Sequence, residues 1–282
     1  QAEEGTIYGR ISPQQKARLV EALRARGHYV AMIGDGVNDV LSLKQAHVGV
    51  AMQSGSAAAR AVADLVLLND SFAALPKAFR EGQRILNGMR DSLALYLTRL
   101  TYAILTILSA GLVVGTFPFQ PKQIALLSFL TLGAPTYAFV AWAQTGVQRR
   151  RGVIRTLLAY VLSSGLMLTT LALAVFAIFY VEATGWERGA LLSNLHSPEA
   201  TAVARSALTT ALVLGGSVLV ATLHLPLHRW PVPTTPLARW RPALLALAMV
   251  ALYALILAFP ATRTFFELVA LSPVENAAIV GL

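Results

Sequence analysis

Residues 32–40 read Met-Ile-Gly-Asp-Gly-Val-Asn-Asp-Val, and this stretch decides the fold of the first part of the chain. The apolar run over residues 29–33 predicts a buried strand, and residues 38–46 predict a helix. Asp35 and Asp39 therefore lie on a turn between a strand and a helix. Ligands bind at such turns in α/β sheets, because loops at the carboxyl ends of strands converge there and helix N-termini offer free N–H groups.

The glycines and acids of this turn suggest a bound cofactor. Gly34 and Gly36 let the backbone bend and come close to a bound group. Paired acids in such a turn suit Mg²⁺, which takes oxygen ligands and keeps waters and phosphate oxygens in its shell. A glycine-rich turn whose aspartates only cap the next helix has the same local pattern. The turn alone leaves both interpretations open.

Three further motifs accompany the turn in a fixed order along the chain. They are Ser12-Pro13-Gln14-Gln15-Lys16, Val48-Gly49-Val50-Ala51-Met52 and Ala63-Asp64-Leu65-Val66-Leu67-Leu68. Together with Gly-Asp-Gly-Val-Asn-Asp they resemble the C-terminal part of the phosphorylation domain of P-type ATPases, the cation pumps of the haloacid dehalogenase superfamily. The resemblance covers the first third of the chain closely and the remainder mainly through its pattern of membrane helices.

The resemblance implies phosphoryl transfer through an aspartyl-phosphate intermediate, with ATP as the substrate and Mg²⁺ as the cofactor. It implies that Asp35 is a Mg²⁺ ligand, that Asp39 is a weaker one, and that Lys16 steadies the phosphoryl oxygens. Asn38 and Asp39 would hold the phosphate, a water or the Asp35 loop in place. These four residues are the predicted catalytic set.

Several parts of such pumps do not occur in the sequence. They are the Asp-Lys-Thr-Gly-Thr motif of the nucleophile, the nucleotide-binding domain, the actuator domain and the first four membrane helices. The chain also begins with Gln1 and not with Met. We therefore expect the C-terminal half of a pump, inactive alone, with the N-terminal remainder of the same protein as its partner.

The composition predicts a membrane protein. Of 282 residues 56% are hydrophobic and only 13% are charged. Residues 1–92 carry eleven Lys/Arg and nine Asp/Glu, as in a soluble domain, whereas the following 190 residues carry twelve and five. The basic excess falls in short loops between apolar segments, which indicates membrane topology and not a nucleic-acid partner. The chain has no cysteine, which excludes disulfides and thiolate metal sites within it.

The predicted fold class is a partial Rossmann-like α/β domain of the haloacid dehalogenase type, followed by an all-α polytopic transmembrane bundle. The domain covers residues 1–72, an amphipathic stalk helix covers 73–92, and the bundle covers 93–282. A bilayer core requires roughly 20 apolar residues in a helix. The predicted spans are 93–115, 123–143, 156–181, 203–223, 243–260 and a truncated sixth at 274–282.

The loop charges predict the orientation in the membrane. Residues 149–155 and 229–241 are rich in arginine and contain no acid, whereas the opposite loops carry both signs. Cytoplasmic loops carry the basic excess in membrane proteins. The charges agree with an N-terminal soluble part in the cytoplasm, where a domain that handles ATP must lie. The resemblance further implies a multi-pass protein of a bacterial plasma membrane, in contact with its lipid bilayer.

Polar groups in the first two spans form a candidate ion path. It consists of Tyr102, Thr106, Ser128, Thr131 and Pro135. A proline break frees backbone carbonyls to coordinate a cation, although ordinary helix packing through hydroxyl residues predicts the same pattern. Neither span contains Asp or Glu, and Leu132 stands where calcium and sodium/potassium pumps carry an acid. Arg99 is the only charge well inside the first span, where snorkelling is one interpretation.

The neutral path resembles a divergent bacterial branch of the family, with Ca²⁺ or another divalent cation as the first expectation. Heavy-metal pumps are disfavoured, because they end soon after two membrane helices beyond this domain. Two alternatives stay open: a lipid flippase or polyamine-type pump of the same superfamily, and a haloacid dehalogenase-type phosphatase with a membrane anchor and no transport.

Overall fold

The computed structural model describes residues 7–113, 117–143, 153–184, 197–223, 236–272, 278–279 and 281. The chain divides into two compact units, which meet in sequence between Arg80 and Glu81. Each unit is described here by itself.

The first unit is a small α/β fold in which strands alternate with helices. Its elements are α1 (Pro13–Ala25), β1 (Ala31–Gly34), α2 (Val40–Gln45), β2 (Val48–Met52), α3 (Ala57–Val62) and β3 (Leu65–Leu67), with 3₁₀ turns at Val37–Asp39 and Leu68–Asp70. The strands form a parallel sheet in the order β1-β2-β3. Parallel pairing brings the carboxyl ends of all three strands to one edge. The fold class predicted from the sequence is confirmed for this unit.

Helix α1 begins where its capping residues predict. The Ser12 hydroxyl accepts a hydrogen bond from Gln15 N at 3.3 Å, and the Gln15 side chain accepts one from Ser12 N at 2.7 Å. Pro13 occupies the first helical position, where its missing N–H costs nothing. The helix ends before Gly27, whose φ of 84° suits a residue without a Cβ. This reciprocal cap fixes where the first turn of α1 lies.

Strand β1 is shorter and more exposed than its apolar sequence predicts. It begins at Ala31, and Tyr29 is 64% exposed and stacks on His47. Of its four residues only Gly34 is buried. Within the described residues β1 pairs on one side only, with β2, and this edge position leaves its side chains half covered. The prediction of a buried strand from residue 29 is therefore wrong in its start and its burial.

The second unit is helical. Its elements are α4 (Ala74–Val113, which starts in the first unit), α5 (Pro121–Ser128), a π-helical turn (Phe129–Gly133), α6 (Ala134–Trp142), α7 (Val153–Thr184), α8 (Pro198–Thr222), α9 (Pro236–Ala258) and α10 (Pro260–Phe265). Five stretches are long and apolar enough to cross a bilayer: Ala74–Leu112, Pro121–Trp142, Val153–Thr184, Pro198–Thr222 and Trp240–Ala258. The chain is a multi-pass membrane protein.

Helix α8 lies at the centre of this unit. It packs against both α7 and α9, and a run of small side chains, including Ala204, Ala207 and Ala211, is buried along it. In a bilayer the hydrophobic effect does not bring helices together, so they associate through close packing. Small residues permit this, because they let helix backbones approach closely. At Gly216 an added Cβ would lie 2.7 Å from Thr131 Cγ2. Close packing thus holds α8 against the π-helical turn.

Helix α4 runs for 40 residues without a break. Gly88 of α4 lies against α6, where an added Cβ would be 3.1 Å from Val140 Cα. Its absent side chain therefore serves close packing within the second unit.

Some sequence predictions fall outside the described residues. Most of the sixth span, 274–282, does so, although residues 278, 279 and 281 are helical. The same holds for much of the loops at 149–155 and 229–241. The division into a domain, a stalk and a bundle remains a prediction.

Candidate functional site

The turn after β1 is held by an ion pair. Lys16 Nζ in the first turn of α1 lies 2.7 Å from Asp39 Oδ1. The Asp39 side chain is only 7% exposed, whereas the Lys16 side chain is 33% exposed. The other carboxylate oxygen, Asp39 Oδ2, accepts a hydrogen bond from Gly36 N at 3.3 Å. Asp39 therefore fixes both the loop and the lysine.

The environment of Asp39 keeps its carboxylate charged. Burial raises its pKa, but the hydrogen bond from Lys16, the backbone N–H of Gly36 and the Lys16 charge together outweigh burial. The pKa consequently lies below the ordinary value of 3.8. The ion pair therefore stabilises the fold above that pH, and the stabilisation is lost as the pH falls through the lowered pKa.

Asp35 lies on the same turn in a different environment. Its side chain is exposed, and within the described residues its carboxylate makes no hydrogen bond or ion pair. Its backbone is fixed, because Asp35 O accepts a hydrogen bond from Ser56 N at 2.7 Å. At Gly55 an added Cβ would lie 2.7 Å from Asp35 O. The backbone of the turn is thus held by a hydrogen bond and close packing, whereas the Asp35 carboxylate is exposed.

Loops after the three strands meet at this edge of the sheet. The loop after β2 is tied to the turn after β3: Gln53 Oε1 accepts from Asn69 N at 2.6 Å, and Asp70 Oδ1 accepts from Ser54 N at 3.0 Å. Asn69 and Asp70 both have positive φ, near 50°, a conformation that these two residue types tolerate better than most. The hydrogen bond from Ser54 N is the main cause that lowers the pKa of Asp70.

The predicted ion-path residues lie where α4 contacts the second span. Tyr102 on α4 is buried in one cluster with Leu127 and Leu130. Its phenol oxygen lies beside the side chains of Thr131 and Arg99 without the geometry of a hydrogen bond. One turn farther along α4, Thr106 is fully buried and its hydroxyl has no partner among the described residues.

The second span contains a π-helical turn where the sequence predicts a break. Ala134 N donates to Phe129 O across this turn, so the helical path continues into α6. The hydroxyl of Thr131 donates to Leu127 O at 2.7 Å. Pro135 is buried in the first turn of α6 and has no N–H to donate. π-Helical turns occur often at functional sites.

Comparison with known proteins assigns the chain to a family. A family model described as a haloacid dehalogenase-like hydrolase matches residues 2–47. The calcium-transporting ATPase CtpE of Mycolicibacterium smegmatis is 35% identical over 276 residues, 94% of this chain and 32% of that protein. The chain belongs to the P-type cation-transporting ATPases. The recognition made from the sequence motifs is confirmed.

Two further relatives of this P-type ATPase chain carry similar names. The probable cation-transporting ATPase exp7 of Streptococcus pneumoniae is 34% identical over 197 residues, 67% of this chain and 24% of that protein. The calcium-transporting ATPase 1 of Bacillus cereus is 40% identical over 126 residues, 44% of this chain and 14% of that protein. The chain spans a third or less of the length of each of these relatives.

In the folded structure of this P-type ATPase chain, some of the predicted site residues contact one another and others do not. Lys16 and Asp39 form an ion pair, which sequence spacing alone did not reveal. Gly36 contacts Asp39 through its N–H, and Gly34 lies so close that an added Cβ would be 2.5 Å from Asp39 Cβ. The side chain of Asn38 points to solvent on the 3₁₀ turn.

Sequence reasoning missed the residues that brace the turn from the neighbouring loops. Gly55, Ser56 and Asp70 had no role assigned from the sequence. Their position directly after β2 and β3 was the available signal, because the carboxyl ends of parallel strands converge.

Gly34→Ala is expected to disturb the site of this P-type ATPase from within. The new methyl group would displace the Asp39 side chain, and overpacking of this kind costs about 1–3 kcal/mol. In the full-length protein we expect a lower unfolding temperature. Gly9→Ala is the matched control, because nothing lies within 4 Å of its added Cβ. Equal behaviour of the two variants would contradict the predicted contact.

Proposed function

We propose that this chain supplies two parts of an ATP-driven cation pump. One is the magnesium- and phosphoryl-binding turn of the phosphorylation domain, and the other is the C-terminal half of the membrane pathway. The main support is the ion pair of Lys16 with Asp39 beside the exposed carboxylate of Asp35, at the edge of a parallel sheet. The similarity to proteins named cation-transporting ATPases supports the same function.

Asp35 is the proposed ligand for Mg²⁺. Its exposed carboxylate is available, whereas both oxygens of Asp39 are engaged by Lys16 and by Gly36 N. The described residues hold no cluster of three His, Asp or Glu that could enclose a metal. This donor set fits Mg²⁺, which is commonly held by one or two carboxylates together with phosphate oxygens and waters. When bound, Mg²⁺ supplies positive charge at the phosphoryl oxygens.

Lys16 is the proposed contact to the phosphoryl group, and Asp39 is its positioning residue. Asp39 holds the ammonium at the edge of the sheet, while a third of the lysine side chain remains accessible to an anion. Phosphoryl transfer depends mainly on such positioning and charge neutralisation. Asn38 lies on the exposed face of the same turn, where it can reach phosphate or water. The nucleophilic aspartate would come from another part of the pump, so this chain alone would be inactive.

The transported ion in this proposal is a divalent cation, with Ca²⁺ the first candidate. Two of the relatives described above are named calcium-transporting ATPases, which supports this choice. Its path would pass the hydroxyls of Tyr102, Thr106, Ser128 and Thr131. The π-helical turn and Pro135 support this location, because irregular backbone inside a bilayer is tolerated where it lines a pathway. The soluble part would lie in the cytoplasm beneath a bacterial plasma membrane.

The experiment that tests the pump is an ATPase assay on the full-length protein from the parent gene. Membranes containing it are assayed for vanadate-sensitive activity with Ca²⁺, Mn²⁺, Mg²⁺, K⁺ or phospholipid. Stimulation by one cation is the expected result and identifies the substrate. Absence of vanadate-sensitive activity would contradict the proposal and favour an anchored phosphatase.

A lipid flippase is the second candidate. Residues 93–143 contain no acid, and the one arginine among them, Arg99, contacts Ser128 in the second span. A pathway that contains an arginine and no carboxylate suits an anionic lipid headgroup better than a pathway lined by carboxylates does. Stimulation by phospholipid and by no cation would establish this alternative.

Ser128→Ala and Thr131→Ala are expected to change the cation concentration for half-maximal activity more than the maximal velocity. Each removes one oxygen from the proposed path without a change in helix length. The matched controls are Ser163→Ala and Thr170→Ala, whose exposed hydroxyls also donate to carbonyls of their own helix. If the cation dependence is unchanged in both path variants, Ser128 and Thr131 contribute to helix packing and not to an ion path.

A further inference from the structure

One positive charge lies inside the proposed cation path. Arg99 is on the membrane part of α4, half-buried, and its guanidinium donates a hydrogen bond to Ser128 Oγ at the end of α5. An arginine that only snorkels would direct its head group to the membrane surface. Arg99 instead contacts the neighbouring helix, next to residues of the path.

No carboxylate in this part of the chain balances the charge. Residues 93–143 include neither Asp nor Glu. The nearest acid on α4, Asp91, is eight residues earlier, which corresponds to about 12 Å along a helix axis. Charged side chains within a bilayer are costly and usually mark ion paths or pair with an opposite charge. The place of Arg99 between two spans therefore indicates a role in transport.

The contact with Arg99 uses the hydroxyl that an ion would need. Ser128 Oγ donates its own proton to Ile124 O, so only its lone pairs are available to a second partner. The Arg99 guanidinium donates a hydrogen bond to these lone pairs, and a metal cation would need the same oxygen as a ligand. A cation bound beside the guanidinium would also be repelled, because like charges a few ångströms apart interact strongly at low dielectric.

We propose that Arg99 is an internal cation that competes with the transported ion for Ser128. With the path empty the guanidinium occupies Ser128 Oγ, and ion binding requires it to withdraw. Arg99 thereby lowers the affinity for the ion and promotes its release. This role rests on the proposed cation pump and makes Arg99 a determinant of its affinity.

The test compares full-length variants in cation-stimulated, vanadate-sensitive ATPase activity. Arg99→Met removes the charge, and we expect the cation concentration for half-maximal activity to fall at least tenfold. Arg99→Lys keeps the charge and should stay within about threefold of the wild type, since the repulsion that it exerts is similar. Arg205→Met is the matched control, because Arg205 is also half-buried in the helical unit and donates to a backbone oxygen, that of Phe117, at 2.8 Å.

The outcomes separate the role of Arg99 from the pump itself. A cation-stimulated wild type with unchanged or weakened affinity in Arg99→Met would overturn the competition and leave the pump in place. A wild type that no cation stimulates would overturn both. If Arg99→Met does not fold, Arg99→Ala serves instead, because alanine is uncharged, favours a helix and leaves Ser128 Oγ without the Arg99 hydrogen bond. The same tenfold gain in affinity is expected from it.

Discussion

Asp35→Asn is expected to abolish phosphoenzyme turnover of the proposed full-length pump without loss of folding. An amide lacks the negative charge that would hold Mg²⁺ in the proposed site, and the charge stabilisation supplied by a catalytic metal is worth several kcal/mol. That amount corresponds to at least about a thousandfold in rate. Folding should persist, because the Asp35 side chain is exposed and the turn is fixed through its backbone oxygen. Phosphoenzyme formation from labelled ATP and thermal unfolding measure the two effects.

The matched control for this variant is Glu81→Gln. It removes one exposed carboxylate from the same chain, and its partner Arg84 lies at a loose 3.5 Å. Exposed pairs of this kind contribute little to stability. Normal turnover in Asp35→Asn would remove Asp35 from the magnesium site. A drop in unfolding temperature that Glu81→Gln does not share would show a structural role.

Lys16→Met is expected to lower both turnover and stability. The substitution leaves the nearly buried Asp39 carboxylate with the Gly36 N–H but without its countercharge, and loss of a hydrogen bond to a charged group costs about 2 kcal/mol. The proposed contact to the phosphoryl group is lost with it. We expect phosphoenzyme levels at or near background and a lower unfolding temperature at neutral pH.

The pH dependence separates the ion pair from other effects of this substitution. Because the pKa of Asp39 lies below 3.8, the pair stabilises the folded protein above that pH. The difference in unfolding temperature between wild type and Lys16→Met should therefore shrink as the pH falls below that value. Lys44→Met, at an exposed position of α2, should have the same unfolding temperature as the wild type both at neutral pH and below pH 3.8. A loss of stability that does not depend on pH would contradict the ion pair as its cause.

Local chemistry made much of the fold predictable. Ser12, Pro13 and Gln15 specify the start of α1 through contacts within four residues. Strands β2 and β3 follow from their apolar runs, and the membrane helices follow from length and hydropathy. Each of these features depends on neighbours in sequence, so a pattern suffices to find it.

Features that depend on partners distant in sequence escaped prediction. Tyr29 is exposed and lies before β1, and β1 pairs on one side only within the described residues, which no local pattern records. The second span continues through a π-helical turn where its proline suggested a break. In each case a packing neighbour decided between two locally acceptable structures.

The sequence by itself determined which chemistry is present: a strand-to-helix turn with two aspartates, an upstream lysine, and apolar helices with hydroxyls and no acid in the first two spans. The tertiary structure alone decided how these groups are divided between roles. In the folded chain Asp39 forms an ion pair with Lys16, whereas the Asp35 side chain stays exposed. Arg99 donates a hydrogen bond to Ser128. The physical reason is that a hydrogen bond forms only where donor and acceptor come within about 3 Å of each other. Which atoms come that close is set by the packing of strands and helices far apart in the chain.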